Sequence, residues 1–227
     1  MTSNDNLHSC NQRVFIIDDD RAVRDAMEML FDANGLSHQS FCSAEHFISF
    51  LDSLENNVNT DSSSSSLTGV LVLDIRMPGM TGLQLQTKLR GRGIQLPIIF
   101  ITGHGDIPMA VEAMRRGALD FLRKPILESN LIERVKHGLQ SETKKIQQRI
   151  NESQIIAMVN DLSERERQVF AKVTAGDSNK VIAAELDISE RTVEVHRANV
   201  MKKCQAKTLA DLVRLEIEYQ LIQEDHS

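Results

Sequence analysis

The chain is poor in cysteine. It has three in 227 residues, at positions 10, 42 and 204, an odd number with no C-x-x-C spacing. That excludes a disulfide framework and offers no zinc motif. No stretch approaches the ~18 consecutive apolar residues of a membrane span. The first residues, 1–12, are polar and lack the apolar core of a secretory signal, so they are expected to form a disordered tail. Positive charge is also short: 26 Lys and Arg against 32 Asp and Glu leave a net −6. A general basic coat for nucleic acid is thereby excluded, though a local basic patch is not. The expectation is a soluble protein of a reducing cytoplasm, long enough for two domains.

What is present is a set of short apolar runs that end in polar groups. Val70-Leu71-Val72-Leu73 ends in Asp74 and is followed by Pro78-Gly79-Met80-Thr81-Gly82. Val14-Phe15-Ile16-Ile17 ends in Asp18, Asp19 and Asp20. Ile98-Ile99-Phe100-Ile101 ends in Thr102-Gly103, and Ala118 to Leu122 leads to Lys124-Pro125. Runs this apolar and β-branched read as strands buried on both faces, as in a parallel sheet. In open α/β sheets the ligand crevice lies at the carboxyl ends of such strands. Parallel strands would therefore converge carboxylates, a hydroxyl and an ammonium on one mouth. Clustered carboxylates raise one another's pKa unless a cation is present, and Mg²⁺ is a hard ion suited to them.

Between the runs lie helical periodicities: Val23, Met27, Leu30 and Phe31; Ala44, Phe47, Ile48 and Leu51; Leu83, Leu85 and Leu89, more loosely; Ala110, Val111 and Met114 after a cap at Asp106; and Leu131, Ile132, Val135 and Leu139. Five strands alternating with five helices predict an α/β doubly wound five-stranded parallel sheet over 13–140, a flavodoxin-like arrangement. Its serine-rich segment 56–66 has little to bury and reads as a surface loop. Segment 141–159 is polar, free of Gly and Pro, and predicts a helical linker.

The remainder, 160–227, reads as an all-α domain of four helices with a helix-turn-helix. Ser163 and Glu166 form a capping box, Gly176 ends the first helix, and Ser189 caps the third after the turn Asp187-Ile188-Ser189. Laid out at ~100° per residue, the third helix turns Val193, His196, Val200 and Cys204 inward. Arg191, Glu194, Val195, Ala198 and Lys202 face outward. From Arg191 to Lys207 there are five Lys/Arg against the single acid Glu194. That local excess in an acidic chain suits a helix in a DNA major groove. Glu194, Val195 and Ala198 are expected to reach base edges, and Arg191, Thr192, Arg197 and Lys202, with Asn179 and Lys180, to hold phosphates.

The set Asp18-Asp19, Asp74 with Met77-Pro78-Gly79-Met80-Thr81-Gly82, Thr102-Gly103 and Lys124-Pro125 resembles the receiver domain of two-component response regulators. Leu162-Ser163-Glu164-Arg165-Glu166, Asn179-Lys180-Val181-Ile182-Ala183 and Arg191-Thr192-Val193-Glu194-Val195-His196-Arg197 resemble the LuxR-type helix-turn-helix. With Gly103-His104-Gly105-Asp106, the whole is similar to the FixJ branch of the NarL/FixJ family. The resemblance implies that Asp74 is phosphorylated by a sensor histidine kinase. It implies Mg²⁺ held by Asp19 directly, Asp18 through water, Asp74 and the Arg76 backbone carbonyl. Thr102 would bind the phosphoryl oxygens, Lys124 would balance their charge, Phe121 would be the aromatic switch, and Arg76 and His104 would tune phosphoryl lifetime. Homodimerisation on phosphorylation, double-stranded DNA and RNA polymerase are the further partners implied, with no membrane. The chain departs from the family pattern at Ile126 and in the serine-rich insertion. An enzyme alternative, a phosphohydrolase with a strand-end Asp nucleophile, wants a second acid two residues on, where this chain has Arg76.

Overall fold

The computed structural model describes residues 12–57, 67–103 and 107–225. Met1 to Asn11 with Cys10, the serine run Ser62–Ser66, His104 and the expected cap Asp106 lie outside the described residues. Two compact units divide the chain, Met1–Lys144 and Lys145–Ser227.

The first unit alternates strand and helix: β1 (Arg13–Ile17), α1 (Arg21–Ala33), β2 (His38–Phe41), α2 (Ala44–Asn57), β3 (Gly69–Asp74), α3 (Gly82–Gly91), β4 (Ile98–Thr102), α4 (Ile107–Arg115), β5 (Asp120–Arg123) and α5 (Glu128–Asn160), which continues past the unit's end at Lys144. The helix α5 takes in the segment 141–159. The strands form one parallel sheet in the order β2-β1-β3-β4-β5. Side chains alternate across it, as the two-residue period of a strand requires. Val14, Ile16, Val70, Val72, Ile99 and Ile101 meet Met27 and Phe31 of α1 and Leu131 and Val135 of α5. Phe15, Ile17, Leu71, Leu73, Ile98 and Phe100 meet Phe47 and Leu51 of α2, Leu85 and Leu89 of α3 and Ala113 of α4. Burying both faces explains why these strands read as unbroken apolar runs. Each fully buried Phe or Leu contributes about 1.5–3 kcal/mol.

One helix face differs from expectation. Val111 and Met114 of α4 are each 45% exposed, and it is Ala113 that is fully buried, with Met109 packed partly against the same cluster. Met109 and Ala113 are four residues apart, one turn along a single helix face, so the small Ala113 is what α4 sets against the core.

The strand order reverses direction between β1 and β3, so the crevice of an open α/β sheet belongs at their carboxyl ends. The register fixes what meets there. Ile17 lies opposite Leu73, Asp74 opposite Ile101, and Thr102 opposite Arg123. Asp18, Asp74, Thr102 and Lys124 therefore stand within a residue of one level.

The second unit holds α6 (Glu164–Thr174), α7 (Asn179–Leu186), α8 (Glu190–Lys203) and α9 (Leu209–Asp225). Ser163 and Glu166 make the expected reciprocal capping box. Ser178 and Ser189 cap α7 and α8. Asp187 turns the chain between them in the left-handed region, at φ 52°. Val169, Phe170, Ile182, Val193, Val200 and Leu212 form the core.

Candidate acid pocket and nucleic-acid interface

Two carboxylates and one ammonium meet at the sheet's mouth. Lys124 Nζ donates to Asp18 Oδ2 at 2.7 Å and to Asp74 Oδ1 at 3.1 Å. Both acids are buried, 2% and 6% exposed. Their remaining oxygens are held by the backbone: Asp20 N–H donates to Asp18 Oδ1 at 2.9 Å, and Arg76 N–H to Asp74 Oδ2 at 2.7 Å. Buried Thr102 closes β4 alongside, its carbonyl accepting from the Lys124 N–H at 2.8 Å. Gly82 makes the pocket floor possible, because a Cβ there would sit 2.4 Å from the Asp74 carbonyl oxygen.

Among the described residues, the two acids share one ion-pair partner, Lys124. Burial, with a smaller contribution from the Asp18 charge, raises the Asp74 carboxyl above the ordinary range even against the pull of Lys124. Burial also pulls the Lys124 ammonium down, but its bonds to Asp18 and Asp74 outweigh that and raise it overall. A buried carboxyl raised against its counter-charge is the kind of group that marks a functional site.

Of the residues expected here, Asp18, Asp74, Thr102 and Lys124 gather, and Phe121 lies half-buried against the α2–α4 side of the sheet. Asp19 and Arg76 are exposed. Among the described residues no group of three or more His, Cys, Asp or Glu side chains is placed to hold a metal ion. The pocket does fit a hard cation in a sparer way. Mg²⁺ takes one or two carboxylates and keeps several waters, and the acids here offer oxygen ligands with a single shared ion-pair partner among the described residues.

On α8, Val193, Val200 and Cys204 are buried and His196 half-buried; burial, aided by the Glu166 charge, pushes the Cys204 thiol up to about 11. Arg191, Glu194, Val195, Ala198 and Lys202 are exposed, as is Lys180 of α7. Val195 is 54% exposed, the kind of apolar group that gains by meeting a thymine methyl. Three expected contacts are already engaged. Arg197 Nη1 donates to Asn179 Oδ1 at 3.0 Å, tying α8 to α7. The Thr192 hydroxyl lies 2.8 Å from that of the capping Ser189. Lys203, counted by sequence in the local basic excess, turns inward to Glu166 at 2.9 Å and the Asp161 carbonyl at 2.8 Å.

An α/β sheet with an acid-lysine pocket at its mouth, followed by a helix-turn-helix with an exposed second helix, defines a receiver joined to a DNA-binding domain. Comparison with known proteins agrees. Residues 14–136 match the response regulator receiver domain, and 160–216 match the bacterial regulatory proteins of the luxR family. The chain is 44% identical to the transcriptional regulatory protein FixJ of Rhizobium meliloti (strain 1021), over 90% of this chain and 94% of that protein. It is 43% identical to the response regulator protein TodT of Pseudomonas putida, over 89% of this chain and 84% of that one. The low-resolution structure of the response regulator StyR superposes with a TM-score of 0.80 at 40% identity, covering 92% of this chain and 99% of StyR. This chain belongs to the FixJ-like response regulators of two-component systems, which regulate transcription through a LuxR-type helix-turn-helix. Among the described residues no helix is long and apolar enough to cross a membrane.

Proposed function

We propose that Asp74 accepts a phosphoryl group from a sensor histidine kinase, and that the modified receiver, 13–140, governs dimerisation and sequence-specific binding of double-stranded DNA by domain 160–227 through the helical linker 141–159. The observation that carries this is Lys124 spanning two buried carboxylates, one of them raised by burial. A carboxylate oxygen of Asp74 forms the new O–P bond while the P–N bond of the kinase phosphohistidine breaks, its electron pair returning to the imidazole. Asp18, Asp19, Asp74 and the Arg76 carbonyl would hold Mg²⁺, which would neutralise charge on the phosphoryl oxygens. Lys124 faces the same oxygens, and the Thr102 hydroxyl hydrogen-bonds one of them. Drawing Thr102 inward frees space for Phe121, which biases a two-state element on the α4-β5-α5 face.

A dimer through that face sets two α8 helices on half-sites about one DNA turn apart. Glu194, Val195 and Ala198 read base edges, while Arg191, Thr192, Arg197, Lys202, Asn179 and Lys180 hold phosphates. RNA polymerase is the onward partner, and the chain acts as a regulator in the cytoplasm rather than as an enzyme.

The test incubates the full chain with a small phosphodonor and Mg²⁺ and reads its mass. One added phosphoryl group, lost in Asp74→Asn, is the expected result. No adduct on the wild type, or one that persists in Asp74→Asn, overturns the assignment. Sedimentation of the phosphorylated chain should show a doubled mass; an unchanged mass removes dimerisation as the switch.

A further inference from the structure

Arg24 makes contacts at the acid pocket that none of the roles above uses. It lies in the first turns of α1, half-buried, and its Nη1 donates to the backbone carbonyls of Asp18 at 2.8 Å and Asp19 at 3.1 Å. Among the described residues it forms no ion pair with a carboxylate, although a run of three acids precedes its helix. The guanidinium therefore acts on the main chain of the acid turn. That turn is also held by its own side chains and by the main chain: Asp18 Oδ1 takes the Asp20 N–H at 2.9 Å, Asp20 Oδ1 takes the Ala22 N–H at 2.8 Å, the Asp18 N–H donates to the Phe41 carbonyl at 3.3 Å, and the Asp20 carbonyl accepts from the Arg24 N–H at 3.1 Å. The Arg24 guanidinium is what engages the Asp18 and Asp19 carbonyls, and carbonyl direction sets where those two side chains leave the backbone.

We infer that Arg24 is a positioning residue for divalent-cation binding: it holds the backbone of the β1–α1 turn from which Asp18 enters the buried pocket and Asp19 stands exposed beside it. The inference rests on the phosphorylation reading above. It makes a prediction opposite in sign to simple electrostatics. Removing a cation from beside clustered acids should, by charge alone, strengthen binding of a second cation. Loosening the turn should weaken it, and loss of such outer partners typically costs 10–100-fold in metal affinity.

Isothermal titration of Mg²⁺ into the full chain distinguishes the two. Arg24→Gln is expected to raise the Mg²⁺ dissociation constant about tenfold. Arg21→Gln removes the same charge from the same helix, at an exposed side chain paired, among the described residues, only with Asp25 at 3.6 Å, and should leave affinity unchanged or slightly tighter. In adduct formation the Mg²⁺ concentration for half-maximal rate should rise with the dissociation constant in Arg24→Gln, while the rate at saturating Mg²⁺ is retained. An Arg24→Gln variant that binds Mg²⁺ as tightly as wild type, or more tightly, overturns the inference. Should that variant not fold by circular dichroism, Arg24→Lys keeps the charge and shortens the reach. Several-fold weaker binding then supports positioning, and unchanged affinity overturns it. A wild type that binds no Mg²⁺ removes the parent reading as well, so the two failures are separable.

Discussion

Two lysines make the same kind of contact in the two halves of this molecule, with opposite consequences. Lys124 reaches two buried carboxylates and is shared between them. Lys203 reaches one buried carboxylate, Glu166, whose other bond comes from the Ser163 N–H of the capping box. In the first case the Asp74 carboxyl is raised by burial. In the second the Ser163 amide, then Lys203, hold Glu166 down at about 2. An acid whose partners satisfy it is a structural staple; an acid raised by burial is a candidate for chemistry. The difference lies in the count of partners around the pair.

The largest expected effect tests how the pocket is held by backbone approach. Gly82→Ala places a Cβ 2.4 Å from the Asp74 carbonyl oxygen and 3.1 Å from Leu73 and Phe100. Neither backbone nor core can yield cheaply, so the first unit should lose about 3 kcal/mol, an overpacking cost at the upper end. Denaturant unfolding checks it. In the second unit, Glu166→Ala removes a cap bond and the Lys203 partner together, and should cost about 2 kcal/mol. Equal losses from Glu166→Ala and from truncating exposed Glu164 beside it would show that the staple contributes nothing.

Acid titration should separate the two sites by sign. Glu166 has a folded pKa of about 2 against an ordinary 4.5. Its contribution is complete above pH ~4.5 and is lost as pH falls toward 2, because the unfolded chain binds the proton first. Asp74 is raised from 3.8, so the folded state binds the proton first. Its drag on stability is relieved as pH falls through the raised value toward 3.8. Comparing wild type with Glu166→Gln and with Asp74→Asn across this range isolates each slope. Parallel curves for wild type and Glu166→Gln would remove the staple.

The sheet and its pocket were legible because strands buried on both faces read as unbroken apolar runs, each ended by the polar residue that reaches the mouth. β2 was not identified as a run: His-Gln-Ser-Phe at the sheet's edge carries only Phe41 into the core. The α4 face was misjudged because a nine-residue helix buries little, and size points to Val111 and Met114 rather than to Ala113. Lys203 entered the basic excess of 191–207 because a charge count along α8 cannot see a partner 37 residues earlier in sequence. Arg24 gave no signal at all, for its partners are main-chain carbonyls, which every residue has.

The smallest effect is the most discriminating. If burial is what raises Asp74, then Asp74→Asn keeps the shape, removes one buried charge from the pocket, and leaves Lys124 to Asp18 alone. The first unit should become modestly more stable at neutral pH while losing the phosphoryl adduct entirely. Functional groups held against a burial cost trade stability for chemistry in this way. Glu166→Gln carries the same chemical change into the second unit and should destabilise it, since Lys203 then loses its buried counter-charge and keeps only the exposed Asp161 carboxylate at 3.9 Å. Opposite shifts in thermal midpoint from these two amide substitutions would establish that the pocket, unlike the staple, is electrostatically frustrated. A destabilising shift from Asp74→Asn would mean that Lys124 already satisfies both acids, and the physical basis for singling out Asp74 would be gone.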